Sequence, residues 1–172
     1  MLARLAETRW AAPFLLFAAA LVLRSLSFVP YVIDTDEGLY MVQAQAWLEG
    51  QGWPLVAVWD MHPVGAPILI TGAMAVFGES VSAVRLLGLL AVTATCTNLY
   101  AMARLLKLPG IVGLGMGVLY LGMTNRFNGL ATNTEILFAP FVTGAIALAL
   151  RAAMAAVDDR VARLRIEGLH GL

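Results

Sequence analysis

Apolar positions in this chain fall into long unbroken runs separated by short polar stretches, rather than into alternation or narrow helical stripes. The runs cover 10–29, 82–106, 110–124 and 135–155. A bilayer core takes about 20 apolar residues of helix, a length that three of the runs reach and 110–124 falls somewhat short of. The pattern predicts an all-α, multi-pass transmembrane helical bundle of about four spans. The first run follows Arg4 and Arg9 and has a signal-peptide-like core from Ala11 to Leu23. No A-x-A-like site follows it and further apolar runs do, so it reads as an uncleaved signal anchor. Arg24, near its far end, either snorkels or turns inward to the bundle.

The stretch 64–77 differs. Its 14 residues between Pro63 and Gly78 are short for a crossing and suit an interfacial or re-entrant helix. The positive-inside rule arbitrates. If 64–77 crosses, Arg4, Arg9, Arg85 and Arg126 are inside and 6 basic residues face out. If it stays on the outer surface, the balance is 8 inside against 3 outside, Arg24, Arg85 and Arg126. The second arrangement is expected: both termini cytoplasmic, an outer loop 30–80 with interfacial helices at 37–49 and 64–77, and a partly helical cytoplasmic tail at 156–172.

Composition fixes the solvent. Charged residues are 13% of the 172 and apolar ones 60%, with a mean hydropathy of +0.82. Soluble proteins carry about 25% charged residues, and a small soluble fold has too much surface to cover with so few. That excludes a soluble enzyme, a nucleic-acid binder and a disordered tail, and makes membrane lipids the first partners. The net charge of zero hides a partition. No Lys or Arg lies between Arg24 and Arg85, whereas Asp34, Asp36, Glu37, Glu49, Asp60 and Glu79 all do. With the 125–134 loop on the same side, acids from two loops converge at one membrane face. The single cysteine, Cys96, sits in an apolar run and reads as an inert buried thiol.

Three clusters hold candidate chemistry. Asp34-Thr35-Asp36-Glu37 follows the first span, and Thr35 or Asp36 can cap a helix running to about Glu49, with Gly50 as its stop. Asp36 and Glu37 complement a helix dipole, but such crowded carboxylates also call for a cation, metal or substrate nearby, and one of them suits general-base work at a membrane surface. Trp59-Asp60-Met61-His62-Pro63 opens the 64–77 helix; His62 is either a bland interfacial histidine or a group that neutralises phosphate and orients carboxylates. Arg126 through Asn133-Thr134-Glu135 leads into the last span, where a cap with an early Glu is a complete structural account, and where Glu135 is also a functional candidate. Trp47, Trp53 and Trp59 fit an interfacial aromatic belt.

The order of these motifs resembles a known family. An Asp36-Glu37 pair after the first span, Gly52-Trp53-Pro54 and Trp59-Asp60-x-His62-Pro63 form one half; Gly78-Glu79-Ser80 with Val84-Arg85-Leu86, then Asn133-Thr134-Glu135, form the other. Over roughly 10–155 the set is similar to the amino-terminal part of the GT-C membrane glycosyltransferases, nearest to the protein mannosyltransferases that use dolichyl-phosphate mannose and to the lipid A aminoarabinose transferase. The resemblance implies a partial GT-C fold, a polyprenyl-phosphate-linked sugar donor, a lipid, glycan or protein acceptor, and inverting transfer on the non-cytoplasmic face of the cell membrane. It places Asp36 as the base toward the acceptor, Glu37 as its acidic partner, and Asp60 and His62 near the donor phosphate. Asn133 or Glu135 then holds the acidic place of the second outer loop, and Arg85 and Arg126 join His62 as the outer-side groups for the departing phosphate. No ligand spacing demands a metal, and a divalent ion between Asp36, Glu37 and phosphate stays open.

Departures from the family pattern are specific. His62-Pro63-Val64 stands where relatives often have a basic residue before two prolines, and Asn133 where an aspartate is common. Relatives are several times longer, so the chain reads as a truncated product or a half that needs a partner. The competing reading is a non-catalytic four-span protein that binds a lipid-linked sugar or a partner subunit. A transporter fragment is a third, disfavoured because its acids belong within spans.

Overall fold

The computed structural model describes residues 10–28, 34–125 and 129–170. All regular structure among them is helical: α1 (Ala11–Leu23) with a 3-10 turn (Ser25–Phe28), α2 (Thr35–Leu48), α3 (Gly65–Phe77), α4 (Val81–Leu105), α5 (Gly110–Thr124) and α6 (Thr134–His170). Arg4, Arg9 and Arg126 lie outside the described residues.

α4 is the central helix, packed against α1, α5 and α6, and side-chain contacts fix the directions of all four. Cys96 in mid-α4 donates to the carbonyl of Gly117 in mid-α5, and a Cβ on Gly117 would come within 2.6 Å of Leu16 in α1. Three helices approach here because one of them offers only backbone, the usual device of close packing between apolar helices. The end of α5 meets the end of α1, where Asn125 Nδ2 donates to the Leu23 carbonyl at 3.1 Å. Asn98 of α4 donates to the Pro140 carbonyl at 2.9 Å and to Thr143 Oγ1 at 3.1 Å in α6. α1, α4, α5 and α6 therefore run in alternating directions around a core of Leu16, Leu89, Val92, Cys96, Leu121 and Leu137.

α3 begins and ends at one end of this bundle. Gly65, in its first turn, packs against Phe138 at the start of α6, and Gly78–Ser80 leads straight into the start of α4. α2 packs on α3, and the two form a cap over that end. Asp34, Asp36, Glu37, Asp60, Glu79 and Glu135 lie on the capped end, and Arg104, Lys107 and Arg151 on the other.

Two helices are long and apolar enough to cross a membrane, Val81–Leu105 and the Thr134–Val157 part of α6. α1, α3 and α5 are shorter apolar helices. With about 1.5 Å of rise per residue, the 13 residues of α1 reach about 20 Å and the 15 of α5 about 22 Å, against a hydrocarbon core of about 30 Å. Among the described residues the fold is all-helical, with two helices of spanning length, fewer than the four expected. α6 continues unbroken past 155 to His170. One boundary differs from expectation. α2 starts at Thr35 with Asp34 as its cap: the Asp34 carboxylate accepts from the Asp36 amide at 2.9 Å, one residue before the expected caps.

Candidate functional site at the capped end

Polar groups of the capped end divide into a buried node and an open cluster. Glu37, in the first turn of α2, faces inward and is fully buried. Arg85 of α4, equally buried, donates through Nη1 to Glu37 Oε1. The same carboxylate oxygen accepts from the Thr132 amide at 2.9 Å, and Arg85 also donates to the Leu130 carbonyl at 3.2 Å. Arg24 turns inward, the second of its two sequence readings, and donates to the carbonyls of Gly129 at 2.7 Å and Leu130 at 3.0 Å. Thr132 Oγ1 donates to the Val84 carbonyl at 3.1 Å, and a Cβ on Gly88 would come within 2.5 Å of that hydroxyl.

Segment 129–132 is thus held by two arginines, one glutamate and a glycine gap, none of them its neighbours in sequence. Buried charges of this kind are costly unless paired or hydrogen-bonded: Glu37 and Arg85 pair with each other, and Arg24 is held by two carbonyls. The geometry corrects two expected roles. Arg85 is committed to Glu37 and to the loop backbone, so it does not face an outer phosphate. Glu37 is a structural carboxylate rather than the open partner of Asp36.

The open cluster is built by Asp36, Asp60 and His62. Gln43 Nε2 in α2 donates to the Val58 carbonyl at 3.2 Å, which draws the loop before α3 onto α2. Asp60 is thereby buried, with a side chain 4% exposed, and its Oδ1 is 2.8 Å from His62 Nδ1. His62 Nε2 points toward Asp36 Oδ2 at 3.9 Å, and Asp36 has a side chain 47% exposed. His62 also packs edge-on against the Tyr40 ring at 5.8 Å, and the Tyr40 hydroxyl is 2.8 Å from Thr134 Oγ1 at the head of α6. Glu135 is exposed beside that head.

Electrostatics follow from this placement. The Asp60 hydrogen bond raises the pKa of His62 above its ordinary 6.5, against the cost of partial burial. Burial pushes the Asp60 carboxyl up, but hydrogen bonds from the His62 side chain and from the His62 and Met61 amides outweigh it and hold it below 3.8. Burial raises the Tyr40 phenol, against the hydrogen bond with Thr134. The result is an imidazole whose protonated form is favoured by a buried carboxylate and which is presented to a solvent-accessible one. Such a pair can position a carboxylate as a base and place one positive charge beside it.

Of the sequence candidates, the fold brings Asp36, Asp60 and His62 together. It sends Glu37 and Arg85 inward, leaves Glu135 exposed at the rim, and puts Asn133 just before α6 with no hydrogen-bond partner for its buried Oδ1 among the described residues. The cap expected from Asn133 or Thr134 side chains is not made, since the Thr134 hydroxyl goes to Tyr40. Arg126 lies outside the described residues. Tyr40, Gln43 and Thr132 were not legible as site residues: each acts through a partner distant in sequence.

The geometry does not fit a divalent ion between Asp36 and Glu37, because Glu37 is turned into the core. Among the described residues no three His, Cys, Asp or Glu side chains are grouped to hold a metal. No family model, curated protein or solved structure matches the chain.

Proposed function

We propose that this chain is the amino-terminal membrane module of a GT-C-type glycosyltransferase, with Asp36 as the general base of an inverting transfer from a polyprenyl-phosphate sugar. The observation that carries the reading is the Asp36–His62–Asp60 alignment, an open carboxylate backed by an anchored imidazole at the acidic end of the bundle. Asp36 takes the proton of an acceptor hydroxyl or amine. The acceptor atom bonds to the anomeric carbon as the carbon–phosphate oxygen bond breaks, and the polyprenyl phosphate leaves with the electron pair. His62, when protonated, supplies a positive charge toward the departing phosphate.

In this reading α1, α4, α5 and α6 each cross the membrane, and α2 and α3 lie on its non-cytoplasmic surface. Support comes from the alternating directions of the four helices, from α3 starting and ending at one end, and from Arg104, Lys107 and Arg151 at the opposite end. The two short helices cross with help from flanking residues or local thinning of the bilayer.

The deciding experiment is a transfer assay in membranes with polyprenyl-phosphate sugars, comparing the chain with Asp36→Asn. General-base loss lowers product roughly 10²–10⁴-fold, and equal product from both removes Asp36 from the mechanism. The commitment of Glu37 and Arg85 to each other favours a second reading, a non-catalytic module that binds a lipid-linked sugar. Donor binding without product from either protein would establish it.

A further inference from the structure

The carboxylates beside His62 do not by themselves fix how its imidazole is turned. Its Nδ1 lies 2.8 Å from Asp60 Oδ1, a bond that fixes one atom and leaves the ring free to swing about it. Its Nε2 lies 3.9 Å from Asp36 Oδ2, too far for a hydrogen bond, so Asp36 does not stop that swing. The plane of the ring is set elsewhere. The Tyr40 ring meets it at 89° with the centroids 5.8 Å apart, an edge contact that an imidazole turned about Nδ1 would lose.

Helical spacing supplies this wall. Asp36 and Tyr40 are four residues apart in α2, so both stand on the face that receives the His62 segment. Tyr40 is 1% exposed, and a buried hydroxyl is costly without a partner. Its partner is Thr134 Oγ1 at 2.8 Å, on the first residue of α6. Packing between α2 and α6 otherwise runs through α3, so the Tyr40–Thr134 bond ties the wall directly to a helix of the bundle. Burial and the nearby Asp36, Asp60 and Glu135 charges raise the phenol pKa, which keeps the hydroxyl proton in that bond at neutral pH.

We infer that Tyr40 is the positioning residue of the His62 imidazole: its ring sets the imidazole plane so that Nε2 faces Asp36, and its bond to Thr134 makes that alignment depend on the head of α6. The geometry stands without any reaction, and the inference rests on the transferase reading only for its consequence in turnover. Three carboxylates act on the charge of His62: Asp60 from its own segment, Asp36 from α2 and Glu135 from α6. Only the influence of Asp36 depends on which way Nε2 is aimed, because Asp60 is bound at Nδ1. A lost alignment therefore has a signature of its own.

The test titrates the His62 imidazole of the full chain in detergent by NMR. In the parent chain Asp36→Asn and Asp60→Asn each lower the His62 midpoint. Tyr40→Phe keeps the wall without its tie, and Thr134→Val removes the same tie from the other side. Both are expected to weaken the response to Asp36→Asn to the same extent, while the response to Asp60→Asn stays. Thr134→Ser, which keeps the hydroxyl, retains both responses. Tyr40→Leu removes the wall and loses the Asp36 response altogether; if that variant does not fold, the Phe and Val variants decide. An undiminished Asp36 response in Tyr40→Phe and Thr134→Val overturns the inference, and a change in one of them alone overturns the tie to α6. Loss of the Asp60 response together with the Asp36 response means that the whole segment has left α2, a purely structural role, and overturns it too. So does a parent chain whose midpoint ignores Asp36→Asn. In the transfer assay the same misalignment lowers product by up to about 10²-fold. No sugar donor enters the titration, so its failure is distinguishable from failure of the transferase reading.

Discussion

Glu37 and Arg85, 48 residues apart in sequence, meet as a fully buried ion pair on which the second loop of the capped end is hung. Each would be an expensive charge in the interior if left alone. Together with the Thr132 amide and the Leu130 carbonyl they satisfy one another and fix segment 129–132 against α2 and α4.

Breaking that pair strands a buried charge. Glu37→Ala is expected to destabilise the folded chain by about 3–5 kcal/mol. Combining it with Arg85→Met, which fills similar space without charge, restores much of the loss. Denaturation of the four members of the cycle in one detergent measures it. An additive double variant would show that the two residues act independently.

His62 carries a pH signature. Its folded pKa lies above 6.5, so its contribution to stability is full below 6.5 and is lost as pH rises through the folded value. Asp60 behaves oppositely: held below 3.8, it contributes above that value and loses its contribution as pH falls through the folded one. Imidazole NMR resolves this, because the chain has 2 histidines, His62 and His170. Asp60→Asn is expected to return the His62 midpoint toward 6.5. Identical midpoints in both proteins would remove Asp60 as its anchor. If His62 assists transfer as its cation, product formation declines above 6.5 with the same midpoint as the NMR titration.

The glycine gap at Gly88 is a second support of the loop. Gly88→Val drives a side chain into Thr132 and is expected to cost about 1–3 kcal/mol, whereas Gly115→Ala, which meets nothing within 4 Å, leaves stability within about 0.5 kcal/mol. Thermal unfolding of the two variants checks the difference. Equal midpoints would place the loop elsewhere.

The proposed topology gives a labelling prediction. Glu79→Cys reacts with an impermeant maleimide from outside intact cells, and Leu108→Cys only after permeabilisation, with buried Cys96 as a silent background. Labelling of both positions from the same side would mean that α4 does not separate them across the membrane.

Much of the fold was legible because bilayer-length apolar runs constrain helices strongly. The runs at 82–106 and 110–124 emerge as α4 and α5 nearly to the residue, and 64–77 as α3. Periodicity says less about where an apolar helix ends: α6 runs on through a charged stretch past 155, and α1 stops at Leu23 before a 3-10 turn. The cluster at Asp36, Asp60 and His62 was visible as residue types in a loop of one charge sign. Which carboxylate stays open was not.

The sequence by itself determined the long apolar runs of this protein, its helical character and the gathering of acids at one end, because hydropathy and charge are carried by each residue wherever the chain goes. Only the tertiary structure decided the roles. Asp36 and Glu37 are adjacent, yet a helix turns successive residues by about 100°. One therefore looks out to His62, while the other is carried into the core to meet Arg85.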